Sequence, residues 1–367
     1  MKYLSVCSGI EAASVAWHPL GWEPLAFSEI EPFPRKVLAH HYPDVPLHGD
    51  FTVLREQNWI KDADILVGGT PCQAFSVAGL RNSLDDDRGN LTLEFVRLAD
   101  AIDNLRRTGT IIVWENVPGV LSVKDNAFGC FLAAITGNDA PLVPTGGKWT
   151  NAGMVVGPKR TAAWRILDAQ YFGVAQRRRR VFVVASSGDG FDPAEILFER
   201  EGMRWDTPPC RKSGEEITAT TAQCFDRQRS DEYGEANIAS TMSARDYKDA
   251  TDLVAQLIPL DTMNIIERPS DKRRANRIGR GYGEAGDPMF TITKGHSHAV
   301  ATSMAIRRLT PRECERLQGF PDDYTNIPKA ADGPRYKALG NSMAVPVMAW
   351  IGKRIKKCLQ TNLDHVL

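Results

Sequence analysis

Several common signatures are missing from these 367 residues, and each absence closes a class of function. The 45 Lys and Arg balance 45 Asp and Glu, so no bulk positive charge announces a nucleic-acid partner. A local basic patch is still compatible with a neutral total, because binding responds to local potential. No apolar run reaches the length of a membrane span. The seven cysteines are Cys7, Cys72, Cys130, Cys210, Cys224, Cys314 and Cys358. They form no CxxC and no close cluster, which gives no reason to expect a zinc knuckle or any other metal site. An odd count without a secretory leader reads as reduced thiols in a soluble, cytoplasmic protein. No internal repeat is convincing. What remains is an ordinary globular composition, 43% hydrophobic and 25% charged. At roughly 100–200 residues per domain, the length favours two domains.

Order is strongest in the first half. LSVCS precedes IEAASVAWHPLG, and PLAFSEIE precedes PFPRKVLAHHYP. DADILVGG follows, then LTLEFVRLADAIDNLRR leads into TIIVWENV, and TAAWRILDAQ into RVFVVAS. Apolar runs of strand length alternating with segments of helical period predict βαβ units and a doubly wound α/β fold. Such a sheet binds its ligand beyond the carboxyl ends of its strands. That rule singles out Ser8, Glu29, Asp50, Pro71–Cys72 and Glu115–Asn116. The glycine-rich PTGGKWTNAGMVVGPK reads as a hairpin beside the cleft. After about Ser187 the chain turns polar, with PMFTITK and IASTMSA as short strand candidates. Order returns with RRLTPRECERLQGFPDDY, where Thr310 and Glu313 make a capping box and Pro311 opens a helix. The expected organisation is a sheet domain over 1–187, an irregular insert over 188–305, and a segment over 306–367 returning to the first domain.

The candidate chemistry follows the strand ends. SVCSGIEA offers backbone amides at a small-residue turn, although an ordinary βα turn explains it equally well. Glu29 suits ribose hydroxyls and Asp50 an adenine amino group. Either acid alone is more often a solvated loop residue, but in register they suggest a nucleoside-containing cofactor. In GGTPCQAFS, glycines permit a tight turn and Pro71 fixes the backbone before Cys72. A buried, inert cysteine is the alternative, and the flanking turn residues argue against it. SVAGLRNSLDDDRGN reads as a lid carrying Arg81 and Arg88 for phosphates. Glu115, beside Trp114, is a candidate proton donor, with helix capping as the plain alternative. In QRRRRVFVV, strand alternation points Gln176, Arg178 and Arg180 to one side.

Taken in order, these motifs resemble the cytosine-C5 DNA methyltransferase family. SVCSGIEA, SEIE and GDF resemble its cofactor motifs, and GGTPCQAFS its catalytic loop. ENV, QRRRR, RRLTPRECERLQGFPD and GNSMAVPV match the remainder. Cys7, Glu11 and Ala12 depart from the family's usual Phe and glycines, and Ala175 from a frequent proline. The resemblance implies a Rossmann-like sheet, S-adenosylmethionine as cofactor, no metal, and an inserted target-recognition domain. It implies a cofactor set of Cys7, Ser8, Gly9, Ile10, Glu29, Ile30, Asp50, Phe51, Pro71, Leu91, Asn341 and Met343. Cys72 is implied as the nucleophile toward cytosine C6, with Glu115 on N3 and Arg178, Arg180 and Asn116 around the base. Duplex DNA is the expected partner, contacted by Gln73, Ser76, Arg81, Arg88 and Gln176. RPSDKRRANRIGR adds Lys272, Arg273, Arg274 and Arg277, although a solvated basic loop accounts for that stretch almost as well.

The target atoms are shielded in a stacked duplex, so the base is expected to flip out. The protein is expected to be a monomer, with any cognate restriction endonuclease acting separately. Three other readings compete. One is RNA methylation, as in a family branch acting on tRNA. Another is a non-catalytic DNA-binding protein on a degenerate methyltransferase fold. The third is small-molecule methylation, which would not need the PCQ and QxRxR sets.

Overall fold

A computed structural model describes residues 1–71, 91–106, 108–123, 125–187, 191–198 and 307–366, together with the backbone of five strands between 223 and 301. The first part runs β1 (Lys2–Val6), α1 (Ala12–Trp17), β2 (Glu23–Ser28), α2 (Pro32–His41), β3 (Leu47–His48), β4 (Ile65–Gly68), α3 (Leu91–Arg106) and β5 (Ile111–Asn116). It continues with α4 (Ala127–Thr136), β6 (Ala152–Val156), β7 (Thr161–Asp168), β8 (Arg179–Ser186) and α5 (Pro193–Leu197).

Eight strands form one sheet in the order β3-β2-β1-β4-β5-β8-β7-β6. β3 to β5 are parallel neighbours, whereas β8 lies antiparallel to both β5 and β7. The chain winds outward from β1 to β3, then crosses back to β4 and β5. The order therefore reverses between β1 and β4, and a crevice opens there at the strands' carboxyl ends. β4 and β5 are buried along their whole length because helices cover both faces of the sheet. Alternation divides the core accordingly. Tyr3, Val67 and Val113 face a cluster with residues of α1 and the C-terminal helices, while Leu4, Leu66 and Ile112 face α3 and α4.

The two glycines expected to make a tight turn at the end of β4 act differently. Neither has positive φ. A Cβ on Gly68 would lie 2.7 Å from Val6 O, and one on Gly69 3.2 Å from Glu115 Oε2. Close approach requires them. The hairpin also stands elsewhere than expected. β6 and β7 pair around a turn closed by Gly157 N–H to Arg160 O at 3.1 Å. Because β7 pairs with β8, this hairpin is carried to the sheet's outer edge, away from the crevice.

Beyond α5, β9 (Gln223–Arg229), β10 (Glu232–Ala236) and β11 (Asp252–Ala255) precede β12 (Ile258–Asp261), β13 (His298–Ala301) and β14 (Arg307–Arg308). The strands pair as a sheet of order β10-β9-β11-β14 and a separate β12-β13 ladder. PMFTITK and IASTMSA lie outside the described residues. α6 (Pro311–Gln318), α7 (Asp332–Asn341) and α8 (Val345–Val366) complete the chain. The capping box of α6 forms as expected: Thr310 Oγ1 accepts from Glu313 N at 3.3 Å, and Glu313 Oε2 from Thr310 N at 2.7 Å. α8 packs on α1, where Trp17 Nε1 donates to Met348 O at 2.8 Å. Among the described residues, no helix is long and apolar enough to cross a membrane.

Candidate active site

The turn after β1 is held in an unusual shape. Cys7 (φ 49°), Gly9 (φ 56°) and Glu11 (φ 63°) all adopt left-handed backbone. Two non-glycine residues in that region persist only where surroundings over-determine the conformation. Here they do. Ser8 N donates to Ser28 O at 3.1 Å and Ser8 Oγ to Ser5 O at 2.9 Å. Glu29 Oε2 accepts from Gly9 N at 2.7 Å, while its Oε1 accepts from Ile30 N and Glu31 N at 2.8 Å. A carboxylate has about four acceptor positions. Glu29 thus braces two turns and keeps one position for a ligand hydroxyl. Ile30, 68% exposed, presents an apolar face beside it.

Glu11 is buried and accepts from Ser14 Oγ at 2.6 Å, Ser14 N at 3.2 Å and Ser5 Oγ. Burial outweighs these bonds and pushes its carboxyl up to about 7. The Cys7 thiol is pushed up to about 12 by burial and by the nearby carboxylates Glu29 and Asp50. It is therefore no nucleophile.

The opposite wall comes from the ends of β4, β5 and β8. Thr70 is the hub: its Oγ1 accepts from Trp114 Nε1 at 2.9 Å and bonds Thr92 Oγ1 at 2.7 Å. Its carbonyl accepts from Asn116 Nδ2 at 3.0 Å. This network fixes the backbone leading to Pro71, the residue before Cys72. Glu115 is paired in register with Phe182, which makes Arg180 its diagonal neighbour on the same face. Arg180 Nε lies 3.0 Å from Glu115 Oε1. Burial raises the Glu115 carboxyl above its ordinary range, while Arg180, then Arg178, pull it back. Arg178 is buried and brought down to about 9, first by that burial and then by the Arg180 charge. Its Nη2 donates to Gly340 O at 2.9 Å and Ser342 O at 2.6 Å.

One narrow cavity of about 50 Å³ joins the two walls, lined by Cys7 to Gly9, Glu11, Gly69, Glu115 and Asn341 to Met343. A larger cavity of about 230 Å³, among Tyr3, Ser14, Trp22 and Tyr42, includes no residue of the 7–11 turn or of the Glu115 rim. The first is the better candidate because the buried carboxyls converge on it.

A model of the C-5 cytosine-specific DNA methylase family matches residues 1–138 and 156–357. The chain belongs to that family. Among similar proteins is the "DNA N-6-adenine-methyltransferase" of Escherichia phage P1, 44% identical over 97% of this chain. The chain spans only 61% of the length of that relative. The type II methyltransferase M.HpaII of Haemophilus parainfluenzae is 28% identical, over 99% of this chain and 91% of its own length. M2.BsuMI of Bacillus subtilis is 25% identical, over 97% and 76%. The Dnmt2 methyltransferase of S. pombe has a TM-score of 0.58 at 15% identity, covering 97% of this chain and 99% of that one. Spodoptera frugiperda DNMT2 gives 0.57 at 17% identity over the same shares. This is the Rossmann-like fold of S-adenosylmethionine-dependent C5 methyltransferases.

The structure brings Cys7, Ser8, Gly9, Asn341, Met343 and Glu115 to this cleft. Pro71 is exposed, Leu91 is half-buried at the start of α3, and Asp50 Oδ1 caps Thr52 N at 2.9 Å. Other placements correct the sequence reading. The side chains of Ile10 and Phe51 are core: Ile10 packs in the cluster shared with α1, and Phe51 joins Leu54 in the cluster on the other face of the sheet. Gln176, expected on DNA, is fully buried, with no hydrogen-bond partner for its amide among the described residues. Arg178, expected on the base, instead ties β8 to the 340–342 loop. Cys72, Gln73, Ser76, Arg81, Arg88, Lys272, Arg273, Arg274 and Arg277 lie outside the described residues. Sequence reasoning missed Thr70 and Ser342, although both sit inside the motifs it quoted. It treated Glu11 only as a departure from the family pattern.

Proposed function

We propose that this chain methylates C5 of a flipped-out cytosine in duplex DNA, with Cys72 as covalent nucleophile and S-adenosylmethionine as donor. The observation that supports this most is the largely buried Glu115–Arg180 pair, whose carboxyl faces the β1 turn across one cavity. Cytosine C5 is a poor nucleophile until C6 carries an electron-rich adduct. Cys72 adds to C6 while Glu115, its carboxyl raised by burial and steadied by Arg180, hydrogen-bonds N3 and favours its protonation. Arg180 keeps Glu115 aimed and carries the compensating charge. After C5 is alkylated, loss of its proton expels Cys72 and restores the ring. Asn116 acts through Thr70, fixing the backbone that leads to Pro71.

The residues fit the cofactor: Glu29 retains an acceptor for a ribose hydroxyl, and exposed Ile30 offers a platform for a purine. Asn341 to Met343, which line the same cavity, would complete the cofactor's site. When bound, S-adenosylmethionine supplies an electrophilic methyl group on a sulfonium. Residues 188–305 are proposed as the target-recognition domain. A monomer acting on DNA, with any restriction endonuclease separate, completes the reading.

The name of the phage P1 relative favours a second reading, methylation of the adenine amino group. An exocyclic amine carries its own nucleophilic nitrogen and needs no thiol adduct, so the Glu115–Arg180 pair would have no evident task. The test is methyl transfer from labelled donor to duplex DNA, followed by nucleoside analysis. Label in 5-methyldeoxycytidine, lost in Cys72→Ala, is expected. Label in N6-methyldeoxyadenosine would overturn the cytosine reading, and label in tRNA with DNA untouched would overturn the DNA substrate.

A further inference from the structure

We propose that Glu11 is the counter-charge of the cationic cofactor: binding of S-adenosylmethionine ionises the Glu11 carboxyl, and its proton passes to solvent. This rests on the cofactor reading above and goes beyond it, because it assigns a task to a residue that the family pattern usually fills with glycine.

The geometry carries the assignment. Glu11 is 1% exposed, yet it forms part of the cleft wall together with Ser5, Cys7, Ser8 and Gly9. With left-handed backbone, φ 63°, Glu11 is the N-cap of α1, and its carboxyl accepts from Ser14 N at 3.2 Å. Neutral groups alone hold it: Ser5 Oγ, Ser14 Oγ and Ser14 N donate to it, and the Ser8 hydroxyl adds to them. No Lys, Arg or His pairs with it among the described residues. The titratable groups packed around it are Tyr3 from β1, Tyr42 after α2 and Tyr324 between α6 and α7, while Cys7 and the Arg180-paired Glu115 line the same cavity. All three phenols are pushed up by burial and are neutral near pH 7. The other carboxyl at this turn, Glu29, is held by backbone amides. A buried carboxylate with no cation is costly, so the acid keeps its proton instead. This is the physical reason its carboxyl sits at about 7. A ligand that brings positive charge into the cleft removes that reason. The carboxyl then ionises, and affinity becomes linked to pH.

Calorimetric titration of the full chain with S-adenosylmethionine, in two buffers of different ionisation enthalpy, tests this. Release of roughly half a proton per cofactor is expected at pH 7, and roughly 0.9 at pH 6. The dissociation constant should fall roughly tenfold from pH 5.5 to 6.5 and level off above pH 8. In Glu11→Gln the release disappears and the affinity no longer follows pH in that range. Should Glu11→Gln fail to fold, as judged by circular dichroism, the wild-type pH series decides alone. Cofactor binding with the same enthalpy in both buffers at pH 6 and 7 would overturn the proposal while leaving the cofactor reading intact. Unchanged proton release in a folded Glu11→Gln would also overturn it. Absence of any binding would overturn both.

Discussion

The β1 turn and the β5–β8 rim each bury a carboxyl in the wall of one cleft, and they treat it in opposite ways. Glu115 has Arg180 at 3.0 Å, with Arg178 behind, so its charge is compensated before any ligand arrives. Glu11 has only hydroxyls and an amide, and its carboxyl stays near 7. A built-in cation keeps an acid oriented and ready to act on a neutral base. An acid without one responds to the charge of whatever enters.

The largest effect should come from removing the acid at the rim. Glu115→Gln should lower methyl transfer by about 10²–10⁴-fold while leaving the cofactor dissociation constant unchanged. An equal loss of cofactor affinity in Glu115→Gln would break the division of labour. Next, Arg180→Gln makes the rim resemble the turn by stranding Glu115. Stability measured in urea should drop by about 3–5 kcal/mol. The sign with pH follows from Glu115 lying above its ordinary 4.5 in the fold. The folded state holds a proton that the unfolded chain has released, so stability falls as pH rises from 4.5 through the raised value. Losing Arg180 moves that value further up, and the variant's deficit should be greater at pH 8 than at pH 5.

Smaller effects separate the two β4 glycines. Gly68→Ala meets the backbone oxygen of Val6 at 2.7 Å and should cost about 1–3 kcal/mol in thermal unfolding. Gly69→Ala meets the Glu115 side chain at 3.2 Å, which can shift, so its loss should appear in turnover more than in stability. The least effect on the fold belongs to Ile30→Ser, within about 0.5 kcal/mol of wild type. Its cofactor dissociation constant should still rise severalfold.

The sequence made the strand ends legible because each apolar run stops at small or acidic residues. It also placed Arg178 and Arg180 on one face, since strand alternation is local. It could not place β8 beside β5, and that antiparallel pairing decides which arginine reaches Glu115. The same limit explains Ile10, Phe51 and Gln176. Each lies within a motif, but burial depends on what packs against the motif, and no local pattern contains that. Gly68 and Gly69 were read as turn residues, whereas the β1 backbone leaves no room for a Cβ on Gly68 and the Glu115 carboxylate crowds one on Gly69. Glu11 was visible only as an oddity, because a carboxyl without a cation is a property of its surroundings.

The central claim is that the rim acts on a cytosine held through Cys72. A duplex carrying 5-fluorocytosine at the methylated position blocks loss of the C5 substituent and should arrest the enzyme on its DNA. Mass spectrometry of the denatured complex should then find Cys72 bonded to the base in the wild type, and much less adduct in Glu115→Gln. Full methylation of ordinary DNA, with no adduct at Cys72 on the fluorinated duplex, would contradict the account.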